Sequence, residues 1–129
     1  MKSSLLVAFV VLLPLLVSCT STSTGSRTAP AAAATQQLTV KSLDTLKFDP
    51  TALNAKAGQP IQLTLDNSSG QLVHDFNLTQ GVSQPVTITA QPGQKANGTF
   101  TIDKPGTYTY VCSQPGHEQA GMKGTLTVQ

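Results

Sequence analysis

Apolar and polar side chains alternate with a period of two through most of this chain, from Leu38 to the C-terminus. Ile61-Gln62-Leu63-Thr64-Leu65 is the cleanest case, and it stops at Asp66-Asn67-Ser68-Ser69-Gly70, a cluster of turn formers. Similar short runs are Leu38-Thr39-Val40, Leu46-Lys47-Phe48, Leu53 to Ala55, His74-Asp75-Phe76-Asn77-Leu78, Val86-Thr87-Ile88, Gly98 to Ile102, Thr107 to Cys112 and Gly124 to Val128. Turn residues such as Asp49-Pro50 and Gly58-Gln59-Pro60 separate them. Period two with frequent punctuation predicts strands that each bury one face, about eight in all, with no helix. Strands of that kind pack as two sheets face to face, an all-β sandwich. Residues 38–129 suffice for one such core, and no internal repeat is present.

The N-terminal part has a different pattern. After Met1-Lys2-Ser3-Ser4, residues 5–17 are almost unbroken apolar sequence, interrupted by Pro14. The run is short for a membrane-spanning helix and fits the apolar core of an export signal. It ends in Leu16-Val17-Ser18-Cys19, which resembles the lipobox of bacterial lipoproteins. That resemblance implies a signal peptide over residues 1–18, cleavage before Cys19, and a lipid on the Cys19 thiol. An ordinary secretory signal with a chance cysteine is the plainer alternative. Residues 19–37 then run through Ser, Thr, Ala, Gly and Pro with one charge, Arg27. Such a segment buries too little apolar surface to offset its ordering entropy, so it is expected to be a flexible tether. The expected location is extracytoplasmic, at a bacterial membrane surface; three Asn-x-Ser/Thr triplets at Asn67, Asn77 and Asn97 carry no weight in such a host.

Composition narrows the function. The net charge is +2, and a cleaved leader takes Lys2 with it, leaving seven basic against six acidic side chains. With no basic run, no nucleic-acid partner is expected. Charged residues are 11% of the chain, and there is no Trp. The cysteine count is two. If Cys19 carries lipid, Cys112 has no disulfide partner, and a lone thiol in an oxidising compartment calls for another use.

Metal ligation is such a use. The stretch Cys112-Ser113-Gln114-Pro115-Gly116-His117-Glu118-Gln119-Ala120-Gly121-Met122 places a thiol, an imidazole and a thioether on one loop. Alternation puts Tyr108, Tyr110 and Cys112 on one inward face, and His74, Phe76 and Leu78 on another. Both inward faces end in a candidate ligand, so His74 and Cys112 can meet at one pole of the sandwich. Gly121 and Gly124 are expected to let the backbone bend as it brings Met122 back. Two His and one Cys in a plane, with a weak axial Met, is the ligand set of a blue-copper site. Singly, a strand-end histidine, a Cys-x4-His pair or a Met after Ala-Gly is more often incidental or core filler. Together they comprise both histidines of the chain, the second cysteine and the one methionine beyond the initiator.

At these residues the chain resembles the cupredoxins, the small blue-copper proteins. The Cys-x4-His-x4-Met loop with Gly121-Met122-Lys123-Gly124 looks most like the auracyanins, and Gly106 to Cys112 also resembles the plastocyanins. The resemblance covers roughly Leu38 to Gln129. It implies a two-sheet Greek-key sandwich binding one type 1 copper ion, with His74, Cys112 and His117 as equatorial ligands and Met122 as the axial one. It also implies a monomer that passes single electrons between redox proteins in transient complexes, docking around Pro115, Gly116, Ala120 and Gly121. Two positions depart from the plastocyanin pattern. Asp75 stands where Asn usually ties the two ligand loops together, so it can bond the Ser113 region but brings a charge near the metal. Val111 stands where many plastocyanins have an outward aromatic, which removes a second electron route.

Rivals come from other classes. A copper chaperone binds Cu(I) through exposed, Met-rich ligands, and this chain offers one such Met. A structural zinc site uses Cys and His alone. A copper oxidase or nitrite reductase needs further histidines, and none is spare. A Cys–His hydrolase leaves Met122 and the second histidine unexplained. A metal-free binding module leaves the whole ligand set unexplained. An electron carrier rather than an enzyme is therefore the expectation.

Overall fold

The computed structural model describes residues 34–129; the expected signal peptide, Cys19 and most of the expected tether lie outside the described residues. Nine strands run in chain order: β1 (Gln36–Leu43), β2 (Lys47–Asp49), β3 (Ala52–Ala55), β4 (Ile61–Asn67), β5 (His74–Leu78), β6 (Val86–Ala90), β7 (Gln94–Phe100), β8 (Gly106–Val111) and β9 (Lys123–Val128). There is no helix among the described residues. The strands form one sheet in the order β2-β1-β4-β7 and a second in the order β3-β9-β8-β5-β6. The β1–β4 and β3–β9 pairs are parallel, and the other neighbours are antiparallel. The all-β sandwich expected from alternation is the observed architecture. Each of the nine alternating runs overlaps a strand, one more than the expected eight or so, and the short β2 and β3 lie at the edges of different sheets.

The core is the alternation made solid. In β4, Ile61, Leu63, Leu65 and Asn67 are buried while the residues between them are half-buried. Opposite them pack Phe76, Leu78, Tyr110, Leu126 and Val128, each at most 2% exposed. Phe76 and Tyr110 stack with centroids 4.5 Å apart, and Phe48 meets Tyr110 edge-on at 5.1 Å. Truncating a buried leucine in such a core costs about 2–5 kcal/mol, a large share of a small domain's stability.

Most strand limits shift by a few residues from the sequence reading, and two of the shifts have a clear physical cause. Strand β1 begins at Gln36, inside the segment expected to be tether, because Gln36 pairs with Ile61. The Gln36 side chain also accepts from Lys56 N–H at 2.6 Å and donates to its carbonyl at 3.1 Å, a clamp that hydrophobic patterning does not register. Strand β7 runs from Gln94 to Phe100 rather than from Gly98 to Ile102, its register fixed by pairing with β4 from Asn67↔Gln94 to Ile61↔Phe100. Its mostly exposed edge face hides it from a period-two search.

Sheet order places the candidate ligands. Strands β5 and β8 are antiparallel neighbours, paired at Asn77↔Val111, so the start of β5 lies beside the end of β8. Strand β9 pairs with β8 so that Val111 faces Lys123. The three chain ends carrying His74, Cys112 and Met122 therefore lie side by side at one pole.

Candidate metal centre

Each candidate ligand arrives by a different local device. His74 is the first residue of β5 and fully buried. Cys112 follows the last residue of β8, inward like Tyr108 and Tyr110, and is also fully buried. The loop from Ser113 to Met122 folds on its own backbone: His117 N–H donates to the Gln114 carbonyl, Ala120 N–H to Gly116, and Met122 N–H to His117. Gly116 and Gly121 adopt φ of +84° and +89°, a left-handed backbone that costs glycine little. Cys112 N–H then donates to the Met122 carbonyl at 3.0 Å, which holds the fully buried Met122 next to the cysteine.

Gly124 is different from Gly121. It sits within β9, and a Cβ there would lie 2.3 Å from the Tyr110 ring and 2.6 Å from the Thr51 carbonyl oxygen. The bend expected at Gly124 is thus a close approach: the glycine makes room for Tyr110 beneath the ligand pole.

The donor atoms converge. The Cys112 Sγ lies 3.3 Å from Nδ1 of His117 and 3.9 Å from Nδ1 of His74. One donor atom from each of the three side chains falls within 4.8 Å of the others. The two imidazole centroids are 5.0 Å apart with the rings tilted by 49°. Both rings present Nδ1 to the sulfur. Three soft or borderline donors around one point, with a buried thioether on the adjoining backbone, fit a single copper ion of the type 1 kind.

Burial tunes these groups. It pushes the Cys112 thiol above its ordinary range, so the thiolate needs a cation beside it. Burial lowers the pKa of His74, which keeps a lone pair available for a metal. Asp75, beside His74 in β5, is 2% exposed, whereas Asn77 on the same face is half-buried. Its carboxylate accepts Ser113 N–H at 2.6 Å, the Ser113 hydroxyl at 2.8 Å and the Gln114 side-chain amide at 2.9 Å. Its own N–H points at Cys112 Sγ, 3.4 Å away. The tie to the Ser113 region expected of this aspartate is therefore present, and a hydrogen bond to the sulfur accompanies it.

Two further residues shape the pole, and the sequence reading passed over both. Asn67, taken for a turn residue, is fully buried, and its Nδ2 lies within 2.8–3.2 Å of the carbonyl oxygens of Leu72, Ala90 and Gln91. Asp44, in the turn between β1 and β2, accepts from the N–H groups of Gln71 and Leu72. The first of these bonds is the main reason its carboxyl titrates below the usual range. A turn-forming Asp or Asn is so ordinary that nothing in the sequence marks these two. Around His117, which is half-buried, Pro115, Gly116 and Ala120 are exposed and Gly121 half-buried. Leu72, at 42% exposure, is the exposed large hydrophobic residue among those described.

The chain is similar to known proteins in sequence and in fold. The model of the family described as "Cupredoxin-like domain" matches residues 6–128. The copper-resistant cuproprotein CopI of Pseudomonas aeruginosa is 27% identical over 78% of this chain and 80% of its own. Auracyanin-B of Chloroflexus aurantiacus is 33% identical over 66% of this chain and 48% of its own, so this chain spans about half of that relative. Among solved structures, auracyanin A of Chloroflexus aurantiacus, titled a "blue" copper protein, superposes with a TM-score of 0.67 and 25% identity, over 74% of this chain and 100% of that one.

Proposed function

This chain belongs to the cupredoxin-like family, and from that premise we propose that it is a type 1 copper protein carrying single electrons between redox partners. The observation that supports this best is the meeting of His74, Cys112 and His117 donor atoms within 4.8 Å at one pole. In this reading His74 Nδ1, Cys112 Sγ and His117 Nδ1 would hold the ion, and the buried thioether of Met122 would be a weaker fourth donor. Copper, when bound, supplies the one-electron change between Cu(II) and Cu(I).

The chain's own part is to keep that change cheap. Imidazoles suit both oxidation states, and thiolate and thioether suit the reduced one. Strands on both sides hold the ligands, so neither state draws them far from place. The hydrogen bond from Asp75 N–H to Sγ lowers the electron density the sulfur offers. Half-buried His117, ringed by exposed Pro115, Gly116 and Ala120, is the route by which an electron leaves. Partners are redox proteins bound in small, short-lived contacts. No catalysis is assigned: both histidines of the chain are used as ligands, which leaves none for a second copper centre.

The same reading places the protein outside the cytoplasm as a monomer. Cleavage after residue 18, a lipid on Cys19 and a tether over residues 19–37 would keep the domain near a membrane with room to reach its partners.

A second reading has one observation in its favour, the match to CopI over most of both chains. Under it, the protein is an extracytoplasmic copper binder that protects against excess metal. Absorbance and electron paramagnetic resonance spectra of the protein with added cupric ion, followed by redox cycling, test the pair. An intense visible thiolate band that bleaches and returns reversibly supports the carrier. Binding of Cu(I) with no stable cupric form supports the copper binder instead.

A further inference from the structure

The loop that delivers His74 to the metal pole has weak apolar anchorage, with Leu72 exposed and Val73 half-buried. Polar bonds hold it instead. Asn67 donates to the Leu72 carbonyl from inside the sandwich. From outside, Asp44 accepts Gln71 N–H at 2.8 Å on Oδ2 and 3.1 Å on Oδ1, and Leu72 N–H at 3.2 Å on Oδ1. That same Oδ1 lies 3.5 Å from Nε2 of His74. One carboxylate thus touches both the loop and the ring the loop carries.

We infer that Asp44 is a positioning residue of the copper site: it fixes His74 with Nε2–H outward and the Nδ1 lone pair inward, and so sets copper affinity and reduction potential. The inference rests on the proposed function for its copper part. Its physical basis is the chemistry of a neutral imidazole, in which one nitrogen donates and the other accepts. His74 Nδ1 faces Cys112 Sγ, 3.9 Å away, so Nε2 is the nitrogen left for Asp44. An ionised carboxylate only accepts, so it selects the tautomer with the proton on Nε2. The contact of 3.5 Å is long for a hydrogen bond. Orientation therefore comes from the charge and from the two backbone bonds that hold the ring's own loop, more than from one short bond. A carboxylate behind a ligating histidine also raises the basicity of the ligand and favours the more positive metal state.

The test compares the wild-type protein with Asp44→Asn and Asp44→Ala. Long-range proton–nitrogen NMR of the copper-free protein reads the His74 tautomer. Voltammetry and chelator competition read the potential and the hold on Cu(II) after loading. The wild type should show a single Nε2–H tautomer, and Asp44→Ala a mixture. Both variants should have a higher potential and release Cu(II) about 10-fold more readily, the low end for loss of such a partner. Asp44→Asn keeps an oxygen for Gln71 and Leu72, so its thermal midpoint should stay near the wild type while its potential moves. A fall in thermal midpoint with tautomer and potential unchanged in both variants would overturn the inference and leave Asp44 a loop cap. If the wild type takes cupric ion without a thiolate band, the proposed function falls, and the copper-free tautomer still decides whether Asp44 orients His74.

Discussion

The carboxylate of Asp75 receives both the backbone N–H and the hydroxyl of Ser113, at 2.6 and 2.8 Å, across two different strand ends. One buried side chain thereby joins the residue after His74 to the residue after Cys112. Replacement by Asn keeps an acceptor for Ser113 but removes a negative charge close to the metal pole. Loss of that charge favours the less positive Cu(I) state, so Asp75→Asn should raise the reduction potential. Asp75→Ala leaves the Ser113 and Gln114 donors unpaired at a part-buried site and should cost on the order of 3 kcal/mol of stability. Voltammetry checks the first outcome and urea unfolding of the copper-free protein the second. A potential that falls in Asp75→Asn would mean that hydrogen-bond geometry outweighs charge here.

The blue colour of a type 1 centre comes from its copper–thiolate bond. Cys112→Ser should therefore abolish the intense visible band while leaving the sandwich folded, since Ser is close in size. An unchanged band in that variant would refute Cys112 as a ligand.

Met122→Leu should keep the band, because the equatorial set is intact. Its potential should rise, because a weak donor to Cu(II) is lost. Voltammetry showing a fall would count against Met122 as the axial ligand. Leu conserves volume in this fully buried position, so the stability change should stay below about 1.5 kcal/mol.

What could be read from the sequence divides along a physical line. Strands such as β4, β5 and β8 bury one face, so alternation revealed them and with them the inward aim of His74 and Cys112. The candidate loop ligands His117 and Met122 stood out by residue chemistry at short spacing, and the structure brings both to the pole that holds Cys112. Strand β7 was displaced in the reading because its side chains are mostly exposed and its limits are set by its pairing with β4. Asp44 and Asn67 were invisible for a related reason. Their roles depend on which backbone N–H and carbonyl groups come near in space, 20 or more positions away for several of them, and local pattern carries no record of that. Gly124 looked like a hinge because glycine marks both bends and close approaches, and only the position of Tyr110 tells them apart.

That distinction makes Gly124→Ala informative. The added methyl would sit 2.3 Å from Tyr110 and 2.6 Å from the Thr51 carbonyl, the second of which is backbone and cannot swing aside. Overpacking of this kind costs about 1–3 kcal/mol. Unfolding midpoints should fall accordingly, and trimming the ring hydroxyl with Tyr110→Phe should restore only part of the loss. Wild-type stability in Gly124→Ala would show that the bend reading was right after all.

Away from the ligand pole, the Asp66–Lys95 pair makes stability depend on pH. Asp66 accepts from Lys95 at 2.8 Å and from the Ser68 hydroxyl and N–H, and its pKa is lowered to about 2, chiefly by the Lys95 bond. The folded pKa lies below the unfolded value near 3.8. The carboxylate therefore contributes stability that is fully present above about pH 4 and is lost as pH falls through the interval toward 2. The shift alone would correspond to about 2 kcal/mol. Lys95 is 55% exposed, so solvent screening reduces the figure to about 1 kcal/mol. Urea unfolding of wild type and Asp66→Asn should differ by that amount at pH 7 and nearly converge by pH 2, where the wild-type carboxyl is about half protonated. Added salt should narrow the gap at pH 7, since the pair faces solvent. A gap that persists undiminished at pH 2 would mean that Asp66 acts through its Ser68 bonds, which Asn reproduces poorly, rather than through its charge.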